Sequence, residues 1–392
     1  MKVSYPHTTM RPPIRRVSMN TASPLATAMV RGKLHRLGTR RLTVWPIGTR
    51  GRTNRSAVTR AVTNTVITGL TIGLTIVSWC FPTRGRMNDS AILGGGKGDE
   101  LTSMDMGSPY ETIVYKEAAG YQLRLLVCRP DEWSAADARS AVVWIHGGGW
   151  RGGRPEMLLR HCRLFAARGA VTFSVEYRLM TNEGHDVESG KAHGVETCIE
   201  DCRSAMRFIR LHAAELGINP NRIAVVGDSA GGHLALSLAT IDCYDAPGED
   251  TSVTAMANAV VNCNGIVDFT GRWKAAVPVV DVEKVGGDPV RAWMIRHEQA
   301  KALSPLNHVS AGQPPMLIMQ GLLDVTVVPE EAVRFYEAYT EAGNEAELVL
   351  YPHLAHAFVL FDYKTEEKEV LKVIARIDQF LTRYDYLPAP VL

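Results

Sequence analysis

One run constrains this chain more than any other: Ile223-Ala224-Val225-Val226-Gly227-Asp228-Ser229-Ala230-Gly231-Gly232-His233-Leu234-Ala235. Its first four residues are apolar and mostly β-branched, as in a strand buried on both faces. Leu234, Ala235, Leu236, Leu238 and Ala239 continue as an apolar helix. Between them lies Gly-x-Ser-x-Gly, a sharp strand-to-helix turn that lifts a serine Oγ into the open. Glycines suit that turn because a serine held in a strained conformation leaves no room for neighbouring Cβ atoms. The helix starting at Ala230 aims unpaired N–H groups at negative charge forming beside Ser229. The competing reading is an ordinary glycine-rich turn between a strand and a helix.

A buried strand feeding a buried helix calls for more such units, and the chain supplies them. Residues 112–115 and 121–128 read as antiparallel strands about a turn at Ala119-Gly120. Residues 141–145, 170–175, 259–261, 316–319 and 348–351 are further apolar strand runs. Helical patterns cover 155–167, 196–216, 330–342 and 366–384, and in the second Cys202, Ala205, Met206, Ile209 and Ala213 share one face. Residues 272–301 read as irregular. Strands alternating with helices predict an α/β fold: a mostly parallel, doubly wound sheet with helices on both faces.

Charge divides the chain. Residues 1–88 hold 15 Lys/Arg and no Asp or Glu, so a net charge of +2 leaves −13 on the rest. A basic, Arg- and Pro-rich leader over 1–60 is expected to have no fold. Residues 61–81 carry no charge over 21 positions, long enough to be an export signal or a membrane anchor. The basic side precedes that run, so the body is expected outside the membrane, exported or anchored. An organelle transit peptide is the second reading of the leader. Residues 82–109 read as a linker, and a catalytic domain is expected over 110–386. An acidic body argues against a nucleic-acid partner. The seven cysteines show no Cys-x-x-Cys pair, and Cys198 and Cys202 read as packing residues on one helix face. Without His-x-x-x-His or clustered carboxylates, no metal is expected, and no motif for another cofactor is present.

A serine hydroxyl needs a base to take its proton and a carboxylate to orient that base. The acid candidate is Asp324, just past the 316–319 strand, with Asp268 as rival. The base candidate is His356, flanked by alanines that leave room for Ser229 and substrate; His353 is its rival. His146-Gly147-Gly148-Gly149-Trp150 follows a buried strand directly, and its glycines let backbone N–H groups converge on one oxygen. With the Ala230 amide the loop completes an expected oxyanion hole; His146 and Gly147 support the loop. A phosphate cradle is disfavoured because no Gly-Lys-Ser/Thr follows.

HGGGW at 146–150, YRL at 177–179, GDSAGGHLA at 227–235, the GLLDVTVVP loop and HAF around His356 together resemble a known family. They are similar to α/β-hydrolase esterases of the hormone-sensitive-lipase-like group, and within it to bacterial acetyl and feruloyl carbohydrate esterases. That resemblance implies the α/β-hydrolase fold, and the stretch between the 259–261 and 316–319 strands is too short for a large lid. The resemblance also implies Ser229 as nucleophile, Asp324 as acid, His356 as base, and Gly148, Gly149 and Ala230 as oxyanion donors. Three positions depart from the pattern. Gln320 stands where the family usually has His, and Ala355 and Ala357 replace glycines around the histidine.

The expectation is a serine carboxylic-ester hydrolase working through an acyl-enzyme on a short acyl ester, including acetyl or feruloyl esters of carbohydrate. The alternatives are a formamidase of the N-formylkynurenine type or a peptidase on the same fold, and a non-catalytic binding member. Activity should fall as acid protonates His356. Nothing in the sequence fixes the oligomeric state.

Overall fold

The computed structural model describes residues 110–181 and 193–389. The expected leader (1–60), the uncharged run (61–81) and the linker (82–109) lie outside the described residues. Among the described residues, no helix is long and apolar enough to cross a membrane.

The body is built on one eight-stranded sheet. Its strands are β1 (Glu111–Ala118), β2 (Tyr121–Cys128), β3 (Arg139–Ile145), β4 (Val171–Val175), β5 (Ile218–Asp228), β6 (Ala259–Cys263), β7 (Met316–Gly321) and β8 (Ala346–Tyr351). They lie side by side as β1-β2-β4-β3-β5-β6-β7-β8. β1 pairs with β2, and β2 with β4, antiparallel; every other pairing is parallel. Ala119 and Gly120, the two residues joining β1 to β2, both have positive φ (51° and 75°). That is the geometry of the tight hairpin the sequence expects there.

The period-2 alternation of strand side chains feeds two cores. Val143, Ile145 and Val225 point into one, and Val142, Trp144, Ala224 and Val226 into the other. α2 (Val195–Leu211), α3 (Ala230–Thr240) and α5 (Pro329–Glu341) cover the first face; α1 (Leu159–Ala166) and α6 (Glu367–Arg383) cover the second. α3 is buried at every position, which explains its mostly apolar sequence, and its polar His233, Ser237 and Thr240 are hydrogen-bonded to backbone carbonyls. With both faces covered, parallel strands need no polar alternation.

Three expectations are corrected. The helix read over 155–167 is a 3-10 turn, Pro155–Leu158, followed by α1. The helix read over 196–216 stops at Leu211, and the chain turns through Gly217, at φ 65°, into β5. Residues read as irregular contain α4 (Pro289–Ala302). Only Ala292 and Ala300 of α4 are buried, so it has no apolar stripe to betray it. Its cap is standard: Asp288 accepts hydrogen bonds from the amides of Val290 and Arg291, with Pro289 in the first turn. The six described cysteines are free, and Cys198 and Cys202 are both packed in the core.

Candidate active site

Parallel strands bring their carboxyl ends to one edge, where loops can assemble a site. At the end of β5, Ser229 takes φ 55° and ψ −119°, a conformation L-residues avoid. Glycines make this turn sterically feasible. A Cβ on Gly227 would lie 2.0 Å from the carbonyl oxygen of Gly231, and one on Gly231 2.1 Å from that of Ile145. The Ser229 amide donates to the Cys263 carbonyl at 3.0 Å, tying the turn to β6.

His356, on the loop after β8, places Nε2 2.8 Å from Ser229 Oγ and Nδ1 2.7 Å from Asp324 Oδ2. Asp324 lies just past β7. Its Oδ1 accepts from the amides of Thr326 (2.8 Å) and Val327 (2.9 Å), and Gln320 Nε2 donates to Oδ2 at 3.1 Å. Burial pushes this carboxyl up, but the hydrogen bond and charge of His356 and the two amides outweigh it, so it sits below its ordinary range. Asp324 is therefore ionised and aimed at the imidazole. The rivals are elsewhere engaged. Asp268 accepts from Thr270 and pairs with Arg334, and exposed His353 reaches Glu369 at 3.1 Å.

The loop after β3 lies across the same edge. Gly148 (φ 116°) and Gly149 (φ 62°) are exposed with left-handed backbones, and their amides donate to no acceptor among the described residues. The loop is braced from beneath. His146 Nδ1 lies 2.8 Å from the Gly147 carbonyl, its ring stacks on Tyr177 at 4.4 Å, and the Tyr177 hydroxyl donates to the His146 carbonyl at 2.9 Å. Burial lowers the His146 pKa to about 4, so it is a neutral brace at ordinary pH. Trp150 Nε1 donates to His233 Nδ1 at 3.2 Å, and His233 Nε2 lies 2.9 Å from the Leu303 carbonyl. That fixes His233 as the tautomer protonated at Nε2.

Three further residues belong to this site. Asp228 is buried beside Ser229; burial, moderated by the charge of His356 and a hydrogen bond from Asn264, raises it to about 6. Asp228 and His233 stand inside the GDSAGGHLA run, whose spacing singles out only the serine. Asn264 has no sequence signal, because nothing in Asn-Gly after a strand says which loops it will touch.

A hydroxyl, an imidazole and a carboxylate in line, beside unpaired amides at the carboxyl edge of this sheet, define a serine hydrolase of the α/β-hydrolase fold. The chain belongs to the BD-FAE family, whose model matches residues 131–339. It is similar to carboxylesterase NlhH of Mycobacterium tuberculosis, 30% identical over 57% of this chain and 68% of that one. It is also similar to esterase LipC of the same organism, 28% identical over 59% of this chain and 57% of that one. Among solved structures, native esterase 2 of Thermogutta terrifontis superposes with a TM-score of 0.61 at 34% identity, over 72% of this chain and 95% of that one. The protein is a carboxylic-ester hydrolase of the hormone-sensitive-lipase-like kind.

Proposed function

We propose that Ser229 attacks the ester carbonyl, His356 takes its proton and returns it to the leaving alcohol, and Asp324 orients the imidazole and stabilises its charged form. The amides of Gly148, Gly149 and Ala230 receive the oxyanion. Water, activated by His356, then releases the acid from the acyl-enzyme. The observation that carries this reading is the unbroken chain of contacts, Oγ to Nε2 at 2.8 Å and Nδ1 to Oδ2 at 2.7 Å. Each oxyanion donor is worth about 3–4 kcal/mol of barrier in comparable sites.

The substrate we propose is an ester of a short acyl group. Support comes from the T. terrifontis esterase 2 structures described as propionate-bound and butyrate-bound, at 35% and 34% identity with TM-scores of 0.60. A carbohydrate acetyl or feruloyl ester is the finer form of this proposal, and it rests on the motif resemblance. Export of the body belongs to the same reading and rests on the basic leader and residues 61–81 alone; cell fractionation tests it. The substrate experiment is hydrolysis of p-nitrophenyl acetate, butyrate and octanoate by the full chain. Acetate or butyrate cleaved fastest is the expected result; octanoate fastest, or formamides cleaved in preference to all three, overturns it.

A further inference from the structure

Asn264 stands just beyond β6, at φ 42°, a left-handed conformation that asparagine tolerates better than most residues. Its side chain has two ends and uses both. Nδ2 donates to Asp228 Oδ1 at 3.1 Å, and Oδ1 accepts from the Ala357 amide at 3.2 Å. Its own amide donates to the Met319 carbonyl at 2.9 Å, anchoring it to β7. The amide orientation is fixed chemically: a carboxylate requires a donor and a backbone N–H requires an acceptor.

The two partners flank the two reacting residues. Asp228 directly precedes Ser229, and Ala357 directly follows His356. Ala357 has φ 60°, in the left-handed region that L-residues other than asparagine and aspartate rarely adopt. An alanine there needs something to hold it, and the hydrogen bond to Asn264 is on its own amide.

We propose that Asn264 is the positioning residue that sets the Ser229–His356 separation, by gripping the nucleophile turn and the histidine loop with opposite ends of one amide. This rests on the catalytic roles proposed above. Asn264 touches neither substrate nor proton; it acts through where it holds the other two.

The test is p-nitrophenyl acetate hydrolysis by the full chain, with thermal melting of every variant. The set is wild type, Ser229→Ala, Asn264→Gly, Asn264→Asp, and the swap Asp228→Asn with Asn264→Asp. Glycine fits φ 42° and deletes both hydrogen bonds; it should lower kcat about 10- to 100-fold with KM little changed. Aspartate keeps the acceptor for Ala357 but opposes Asp228 with a second carboxylate, so it should lose at least as much. The swap restores donor to acceptor at both ends with the same net charge, and should return kcat to within about fivefold of wild type. Asn264→Gly carries the test if Asn264→Asp does not fold. A folded Asn264→Gly with wild-type kcat overturns the inference, as does a folded swap no faster than a folded Asn264→Asp. A wild type no faster than Ser229→Ala overturns the catalytic assignment itself, and this inference with it.

Discussion

Gln320 Nε2 lies 3.1 Å from Asp324 Oδ2, the same carboxylate oxygen that His356 Nδ1 meets at 2.7 Å. Gln320 thus supports the acid of the relay directly, and it also donates toward the carbonyls of Val327 and Gly321, at 3.0 and 3.2 Å. Its Oε1 is buried without a partner among the described residues, a cost set against those three contacts. Gln320→Leu removes that cost but strands the acceptors. We expect a loss of about 1–3 kcal/mol in urea unfolding and about tenfold in kcat as Asp324 loosens. Unchanged stability and turnover would show that His356 and the two backbone amides hold Asp324 unaided.

The backbone of Ser229 predicts an inverted stability order. In a helix or strand, glycine is less stable than alanine, but at φ 55° and ψ −119° the Cβ is the source of strain. Ser229→Gly should therefore be more stable than Ser229→Ala by about 1–2 kcal/mol, with both inactive. Chemical denaturation of the two variants decides it; alanine above glycine would mean the turn is unstrained.

His353 and His356 are two loop positions with opposite fates. His353 is exposed and pairs with Glu369, whereas His356 contacts both Ser229 and Asp324. His353→Ala should leave kcat within about twofold, since surface changes of this kind are usually small. His356→Ala should lower it by a factor on the order of a million. Turnover of p-nitrophenyl acetate by the two variants separates them.

Acid should weaken the fold as well as the activity. Burial lowers the pKa of His146, His161 and His233 from 6.5 to about 4. Well above pH 6.5 all three are neutral folded and unfolded, and the fold is unaffected. As pH falls toward 4, the unfolded chain takes up protons that the folded chain cannot, so stability falls. Asp228 works the other way: raised from 3.8 to about 6, it holds a proton in the fold that the unfolded chain has lost. Three histidines outweigh one carboxyl. The lowered Asp324 adds to the loss at still lower pH. The urea midpoint should drop between about pH 7 and pH 5; an equal or higher midpoint at pH 5 would contradict the burial of those rings.

Much of this was legible in the sequence because buried elements write themselves plainly. A parallel sheet covered on both faces shows as short apolar runs, and β5, with its turn at Ser229, carries the site in consecutive residues. His356 and Asp324 were legible because each follows a strand end. α4 was not, because a helix lying on the surface with two buried alanines has no periodicity to read. Asn264 and the role of Gln320 were not, because each depends on which loops tertiary packing brings together. Ala357 was visible as a departure from the family pattern, but its left-handed backbone was not.

The most direct test of the central claim is turnover of p-nitrophenyl acetate by Ser229→Ala beside wild type, both shown folded by circular dichroism. The nucleophile of such a relay contributes a factor on the order of a million. An active wild type and a variant at background is the predicted result. A Ser229→Ala protein as active as wild type would mean that another group attacks the ester, and the site described here would not be the catalytic one.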